Sequence, residues 1–244
     1  MNQVSRLFIG GGQDYHGPTA QRDREIVTAV AQCLANEFSE DIQLVTGGMP
    51  GIPDDFARAY RQAGGTHVLC VVSSEQEEAF RKRNEETKFD YQVIGESQEK
   101  RRIAVTKLEG IKAALFIQGG KYSTHEMKLF EENGIPIITL WSSGGAAGGT
   151  QPYEGYSYGV KPIERELCDP EVTNAVDVAK ALVDKIKLAI QIYKGDNLAR
   201  GNHKKDAPQM AHYSCCGSAS RSAGGASARD HPPIAHQETC SGTL

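Results

Sequence analysis

The chain has 244 residues, of which 39% are hydrophobic and 24% are charged, as in an ordinary soluble domain. This length predicts one domain, or one domain with a tail. The formal net charge is −4, whereas proteins that bind duplex nucleic acid usually carry an excess of positive charge. No apolar run approaches the ~18–20 residues that are needed to cross a bilayer. We therefore expect neither a nucleic-acid partner nor a membrane span.

Three of the six cysteines, Cys33, Cys70 and Cys168, are scattered singly, and Cys215, Cys216 and Cys240 lie near the end of the sequence. This pattern is not a disulfide framework and is typical of a reducing compartment. The first residues show neither the apolar stretch nor the small-residue cleavage site of a signal peptide. We therefore expect a cytoplasmic protein. No cluster of His, Cys, Asp or Glu has the spacing of metal ligands, so neither a metal nor a cofactor is predicted.

The composition changes near Lys194, beyond which Gly, Ser, Ala, Pro and His largely replace the large aliphatic residues. Segments of this kind bury too little apolar surface to compensate for the entropy lost on folding. The sequence therefore predicts a single folded domain at residues 1–195 and a disordered tail at residues 196–244.

Within residues 1–195, short β-branched runs alternate with longer amphipathic stretches, as in repeated βα units. In chain order, the predicted strands are Arg6–Gly11, Ile42–Thr46, Thr66–Val72, Phe89–Ile94, Ala113–Gln118 and Ile135–Leu140. The predicted helices are Gln21–Phe38, Asp54–Gln62, Glu75–Glu86 (a helix or a loop), Glu96–Glu109, Ser123–Glu132 and Glu171–Tyr193. The expected fold is α/β and doubly wound, with a mainly parallel sheet and helices on both faces, Rossmann-like in the broad sense.

A Gly-rich segment, Ser142–Tyr158, is too long for a simple connection. Segments of this length tend to be lids or binding loops, or else to be locally disordered. Its tyrosines Tyr153, Tyr156 and Tyr158 suit three roles: stacking on a nucleobase, packing the segment onto the domain, or contributing to a subunit interface.

Glycines follow three predicted strands directly, in Ile9–Gly12, Val45–Gly51 and Ile117–Gly120. In a parallel sheet all three turns lie at the carboxyl ends of the strands, where such folds bind ligands. Glycine allows close approach of a phosphate to the backbone, and the following helix N-terminus adds partial positive charge. The turns match neither the P-loop nor the dinucleotide fingerprint. They predict a site for a nucleotide-like anion.

Two of these turns carry a resemblance. Thr46–Ile52 resembles the TGGGPGI turn of the LOG (Lonely Guy) family, and Gly119–Glu126 is similar to that family's PGGxGTxxE motif. Phe8–Asp14 is more similar to the wider SLOG superfamily, which includes nucleotide-ligand sensors. The chain departs from the LOG motif in having Gln118 for proline, Tyr122 for glycine and Ser123 for threonine. The resemblance implies that the side chain of Tyr122 would fill space that a substrate phosphate or ribose occupies.

The resemblance implies that Glu126 and Arg102, or Arg101 if the helix register shifts by one, are catalytic residues. The predicted ligand-binding residues are Gly11, Gly12, Gln13, Thr46, Gly47, Gly48, Pro50, Gly51, Arg101, Gly119, Gly120, Ser123 and Thr124. The residues alone also fit simpler roles: Glu126 as a carboxylate complementing a helix dipole, and the arginines as partners of neighbouring glutamates. The loop residue His16 is a further candidate for ligand contact.

LOG enzymes cleave the N-glycosidic bond of nucleoside 5′-monophosphates. The leading hypothesis is therefore a phosphoribohydrolase that acts on a purine nucleoside monophosphate, with a small-molecule nucleotide as its partner. The alternative is a non-catalytic SLOG-type sensor of a nucleotide-derived ligand, such as an ADP-ribose-like molecule, and a weaker one is an interaction protein that acts through its tail. The resemblance further implies a homo-oligomer, namely a dimer.

Overall fold

The computed structural model describes residues 4–148 and 174–200. Its strands are β1 Ser5–Gly11, β2 Ile42–Thr46, β3 Val68–Val72, β4 Asp90–Val93, β5 Ile111–Ile117 and β6 Ile137–Leu140. Its α-helices are α1 Ala20–Phe38, α2 Ile52–Gln62, α3 Ser74–Thr87, α4 Gln98–Val105, α5 Lys121–Glu132 and α6 Ala175–Arg200. A short 3₁₀ helix, Trp141–Ser143, follows β6.

The six strands form one sheet in the order β4-β3-β2-β1-β5-β6, and every strand pair is parallel. The chain first moves outward from β1 to β4, then returns through α4 to place β5 beside β1. The direction of winding therefore reverses between β1 and β5, which is the point where doubly wound sheets leave a crevice.

Both faces of the sheet are covered along its central strands, so residues of both parities are buried there, whereas all four residues of the edge strand β4 are exposed. Leu7 and Ile9 of β1 pack on one face in a cluster that includes residues of α1, α2 and α6. Phe8 points to the other face, where it contacts Phe116 and Phe130 at ring-centroid distances of 5.8 and 4.7 Å. Val105 of α4 and Met127 of α5 complete that second cluster. The expected doubly wound α/β fold is confirmed, and the described sheet is parallel throughout.

Several element boundaries differ from the predictions. Helix α2 begins at Ile52, because Pro53 is favoured in a first helical turn, where its missing N–H is no loss. Helix α4 is shorter than predicted and ends at Val105. Helix α3 is a helix rather than a loop.

Helix α6 continues to Arg200, past the predicted domain boundary at residue 195. The tail beyond residue 200 lies outside the described residues, so the division at 195/196 stays a prediction. None of the helices in residues 4–148 and 174–200 is long and apolar enough to span a membrane.

Candidate functional site

A cavity of about 710 Å³ opens at the carboxyl edge of the sheet, at the reversal point between β1 and β5. Its walls come from five segments: the loop after β1, the turn after β2, the first turns of α4, the turn from β5 into α5, and the segment after β6. We call this cavity the cleft. It lies where an open α/β sheet is expected to bind a ligand.

Helices α4 and α5 bring three charged side chains together in the cleft. Arg101 Nη2 donates a hydrogen bond of 2.6 Å to Glu126 Oε1, and Arg102 Nε lies 3.9 Å from the same oxygen. Arg101 is 3% exposed and Glu126 is 7% exposed. Both contacts use the same carboxylate oxygen, Oε1.

Two guanidinium donors in this group lack a hydrogen-bond partner among the described residues, namely Arg101 Nη1 and Arg102 Nε. Nη1 lies against the turn after β2, since a Cβ added at Gly47 would lie 2.9 Å from it. Leaving a buried charged donor unsatisfied costs about 1–3 kcal/mol or more. An oxygen-rich anion bound beside Gly47 would supply the missing acceptor.

Tyr122, which stands at a LOG-family glycine position, lines the cleft and is 57% exposed. Its ring lies under the guanidinium of Arg102, with 4.4 Å from Cζ to the ring centroid, and Lys121 Nζ lies 4.9 Å from the same centroid. Arg102 Nη1 also lies 3.5 Å from Glu99 Oε2. Arg102 is therefore held by a ring and a carboxylate, whereas Arg101 makes the short pair with Glu126.

Gln118 adopts a left-handed conformation, with φ of 55°. The proline of the LOG motif cannot adopt this conformation, because its ring holds φ near −65°. Such a backbone costs a residue with a Cβ about 1–2 kcal/mol and persists where the surroundings enforce it. Here the Gln118 backbone N–H donates to Ser143 Oγ at 2.8 Å, and its side chain makes three further hydrogen bonds.

One of those bonds reaches Asp23, a fully buried carboxylate in the first turn of α1. Asp23 Oδ2 accepts from Gln118 Nε2 at 2.7 Å and from Thr19 Oγ1 at 2.9 Å, and its Oδ1 has no hydrogen-bond partner among the described residues. Burial raises the pKa of Asp23 above its usual value, and the two hydrogen bonds and the charge of Arg22 oppose that effect only in part.

The comparisons with known proteins agree with this architecture. A family model described as the SLOG cluster4 family matches residues 7–161, more than half of the chain. The chain belongs to the SLOG cluster4 family. No curated protein sequence matches it significantly.

Two solved structures resemble this SLOG cluster4 chain in fold alone. The crystal structure of TM1055, a structural genomics target, is 19% identical with a TM-score of 0.45, over 59% of this chain and 78% of that one. DNA processing protein A from Helicobacter pylori, described by its single-stranded DNA binding mode, is 12% identical with a TM-score of 0.40. That match covers 55% of this chain and 64% of the other, just under two thirds of its length.

In the SLOG cluster4 chain, most predicted site residues line the cleft. They are Gly11, Gly12, Gln13, Gly47, Pro50, Arg101, Arg102, Gly119, Gly120, Ser123 and Glu126. His16 lines it as well. Ser123 Oγ donates to the Gly11 carbonyl oxygen at 3.2 Å, so the start of α5 is tied to the end of β1.

Four predicted site residues, Thr46, Gly48, Gly51 and Thr124, do not line the cleft. Thr46 Oγ1 accepts a hydrogen bond from the Gly48 N–H at 3.2 Å, and Thr124 Oγ1 donates to the Gly120 carbonyl at 3.3 Å. Gly48 packs against Val72 and Phe80, and Gly51 packs against the backbone of Gln13. These four residues therefore help to fix the conformation of the turns without lining the cleft.

The sequence analysis also missed cleft residues, among them Met49, Gln98 and Gly144. Gln98 Oε1 accepts from Arg101 Nε at 3.2 Å and so helps to orient the guanidinium. Nothing in the local sequence marks a glutamine at the start of a helix as a site residue. Its position three residues before Arg101 was the only available signal.

Only residues 142–148 of the predicted segment Ser142–Tyr158 are described, and its three tyrosines lie outside the described residues. Within 142–148, the N–H groups of Ala146 and Ala147 donate to the carbonyls of Gly119 and Gln118 at 2.9 and 3.0 Å. Residues 4–148 and 174–200 contain no group of three or more His, Cys, Asp and Glu side chains suited to a metal ion.

Proposed function

We propose that this protein binds a purine nucleoside 5′-monophosphate in the cleft and hydrolyses its N-glycosidic bond. The observation that carries the proposal is the buried pair of Arg101 and Glu126, joined at 2.6 Å, beside two guanidinium donors that have no hydrogen-bond partner among residues 4–148 and 174–200. A buried carboxylate fixed among hydrogen-bond donors suits a reaction that develops positive charge on the sugar and places an anion nearby.

The phosphate is proposed to bind at the N-terminus of α5. This helix begins at Lys121, and no side chain in the described part of the chain caps its first N–H groups. The first N–H groups of a helix lack intrahelical partners, and with the helix dipole they favour an anion. No atom of residues 4–148 or 174–200 lies within 4 Å of where a Gly120 Cβ would be, so a phosphate oxygen has room to approach the backbone.

Glu126 is proposed to act on the glycosidic carbon. As the C1′–N bond breaks, its electron pair leaves with the base, and the positive charge that develops on the ribose is stabilised by the carboxylate. Glu126 then takes a proton from water as the water oxygen bonds to C1′, and that proton passes to the departed base. The products are the free base and ribose 5-phosphate.

The test is incubation of the protein with AMP and N6-modified AMP, with chromatography of free base and ribose 5-phosphate. We expect Glu126→Gln to lower kcat by about 10²–10⁴-fold, because the carboxylate is lost while the side-chain shape is kept. Glu132→Gln, on the exposed end of the same helix, is the matched control and should leave kcat unchanged. A Glu126→Gln variant that folds, by circular dichroism, and turns over normally would remove Glu126 from the mechanism.

The sensor hypothesis is favoured by one observation, the ring of Tyr122 beneath Arg102 within the cleft. A ring at this position occupies space near the proposed phosphate site. In that case a nucleotide or an ADP-ribose derivative should raise the melting temperature without release of base. Size-exclusion chromatography in the same samples tests the predicted homodimer.

A further inference from the structure

The loop between β1 and α1 forms one wall of the cleft, through residues that include Gln13, Asp14 and His16. The backbone of this loop is held by the side chain of Gln118, the residue that follows β5. Gln118 Oε1 accepts from the His16 N–H at 3.0 Å, and Gln118 Nε2 donates to the His16 carbonyl at 3.1 Å. One carboxamide thus satisfies both backbone groups of a loop residue, as a neighbouring strand would.

Asp23 fixes the orientation of that carboxamide. The second hydrogen of Gln118 Nε2 is donated to Asp23 Oδ2 at 2.7 Å, so Nε2 faces the carboxylate and Oε1 must face the His16 N–H. Gln118 is 3% exposed and Asp23 is fully buried. Hydrogen bonds in such a protected position are little weakened by competing water.

The backbone of Gln118 holds the opposite wall. Its N–H donates to Ser143 Oγ at 2.8 Å, and its carbonyl accepts from the Ala147 N–H at 3.0 Å. With φ at 55°, the residue directs its side chain to the loop after β1 and its backbone groups to the segment after β6. A single residue, Gln118, therefore determines the distance between these two walls of the cleft.

We propose that Gln118, oriented by Asp23, is a positioning residue that fixes the loop after β1 against the cleft and so sets the affinity for the nucleotide. The affinity part of this inference rests on the proposed function. The positioning itself does not, since it is visible in the loop without any ligand.

The experiment exchanges the donor and the acceptor of the Gln118–Asp23 hydrogen bond. Gln118→Glu keeps the side-chain shape but removes both N–H donors and places a second carboxylate beside Asp23. Adding Asp23→Asn restores a donor opposite the new acceptor. Gln92→Glu on the exposed edge strand β4 makes the same chemical change away from the cleft and serves as the control.

The first readout is hydrogen exchange at the His16 amide in the full chain without ligand. We expect Gln118→Glu to accelerate exchange at least about tenfold, the double variant to recover part of the protection, and Gln92→Glu to change nothing. Unchanged protection in Gln118→Glu, or a double variant no better protected than Gln118→Glu alone, would overturn the proposal.

The second readout is the kinetics with AMP. We expect KM to rise about tenfold in Gln118→Glu with kcat within about twofold of wild type, because Arg101 and Glu126 are untouched, and we expect KM to recover in the double variant. A parallel fall of kcat and melting temperature, with KM unchanged, would indicate a merely structural role and reject the proposal. If the wild type neither binds nor cleaves AMP, the proposed function fails and the His16 exchange alone decides the positioning role.

Discussion

The glycine turns after β2 and after β5 are alike in sequence but differ in what surrounds them. A Cβ added at Gly48 would lie 2.6 Å from Val72 Cγ1, and one added at Gly51 would lie 2.1 Å from the Gln13 carbonyl oxygen. A Cβ at Gly120 would meet no atom of the described residues within 4 Å. In the first turn these glycines allow protein atoms to pack closely, whereas in the second Gly120 leaves room for a ligand.

A glycine in such a motif can meet either of two requirements, and the sequence alone does not show which one applies. One is a backbone conformation or a close protein contact, which affects stability. The other is an open approach to the backbone, which affects binding. Substitutions in the two turns should therefore affect different measurements.

Gly51→Ala should be the most damaging change. It places a Cβ against a backbone carbonyl that cannot rotate away, at a residue whose φ is 103°. We expect the free energy of unfolding to fall by about 3–5 kcal/mol, measured by urea denaturation. Gly64→Ala is the matched control, because Gly64 also has a positive φ, 96°, but no atom within 4 Å of its Cβ position. It should lose only about 1–2 kcal/mol, and equal losses in the two variants would contradict the steric explanation.

Gly120→Val should affect binding and spare the fold. Its backbone, with φ of −123°, accepts a side chain without strain, and because valine is a poorer helix N-cap than glycine we expect the free energy of unfolding to fall by only about 1 kcal/mol. Affinity for AMP, measured by calorimetry, should fall about tenfold or more, or about 1.4 kcal/mol, because the side chain enters the proposed phosphate site.

Gly48→Val is the counterpart of that variant in the turn after β2. It should lower stability, and the protein that remains folded should bind AMP normally. Wild-type affinity in Gly120→Val would contradict the assignment of the turn after β5 to the ligand.

Asp23→Asn should give the smallest effect, one that depends on pH. Because burial raises the folded-state pKa of Asp23, the folded protein binds more protons than the unfolded chain between the two pKa values. Wild-type stability should therefore decrease as pH rises from about 4 through that interval, and the variant should lack this contribution. Thermal unfolding between pH 4 and 8 measures how the stability difference between wild type and variant changes with pH. A difference that does not vary with pH would show that Asp23 carries no such burial penalty.

Much of the fold followed from local patterns. The apolar spacing in α1 and the fully buried run of β5 predicted their elements, because each pattern reflects burial on one or both faces. Glu126 was found because the β5 turn and the first turns of α5 are continuous in the chain. Arg101 and Arg102 were both candidates, since neighbouring residues on a helix differ by about 100° of rotation and only the packed helix shows which side chain reaches Glu126.

The remainder of the site depended on contacts between distant residues. Gln118 was recognised only as a departure from a motif, because its partners His16 and Asp23 are 102 and 95 residues away in the chain. Asp23 itself gave no signal, since an aspartate in the first turn of a helix is an ordinary residue. The packing of Gly48 and Gly51 was missed for the same reason: whether a Cβ would meet protein or a ligand is decided by neighbours in space.

The placement of β5 beside β1 has a consequence for how the protein is made. Arg6 pairs with Ile111, so the central strand has one unoccupied edge until more than a hundred residues have left the ribosome. Closing so long a separation is slow compared with forming the neighbouring βαβ units, and an unpaired apolar strand is prone to aggregate meanwhile. The sheet and the cleft are complete only once β5, α5, β6 and the segment after β6 have also joined the fold. The ability to bind a ligand should therefore arise only at the last stage of folding.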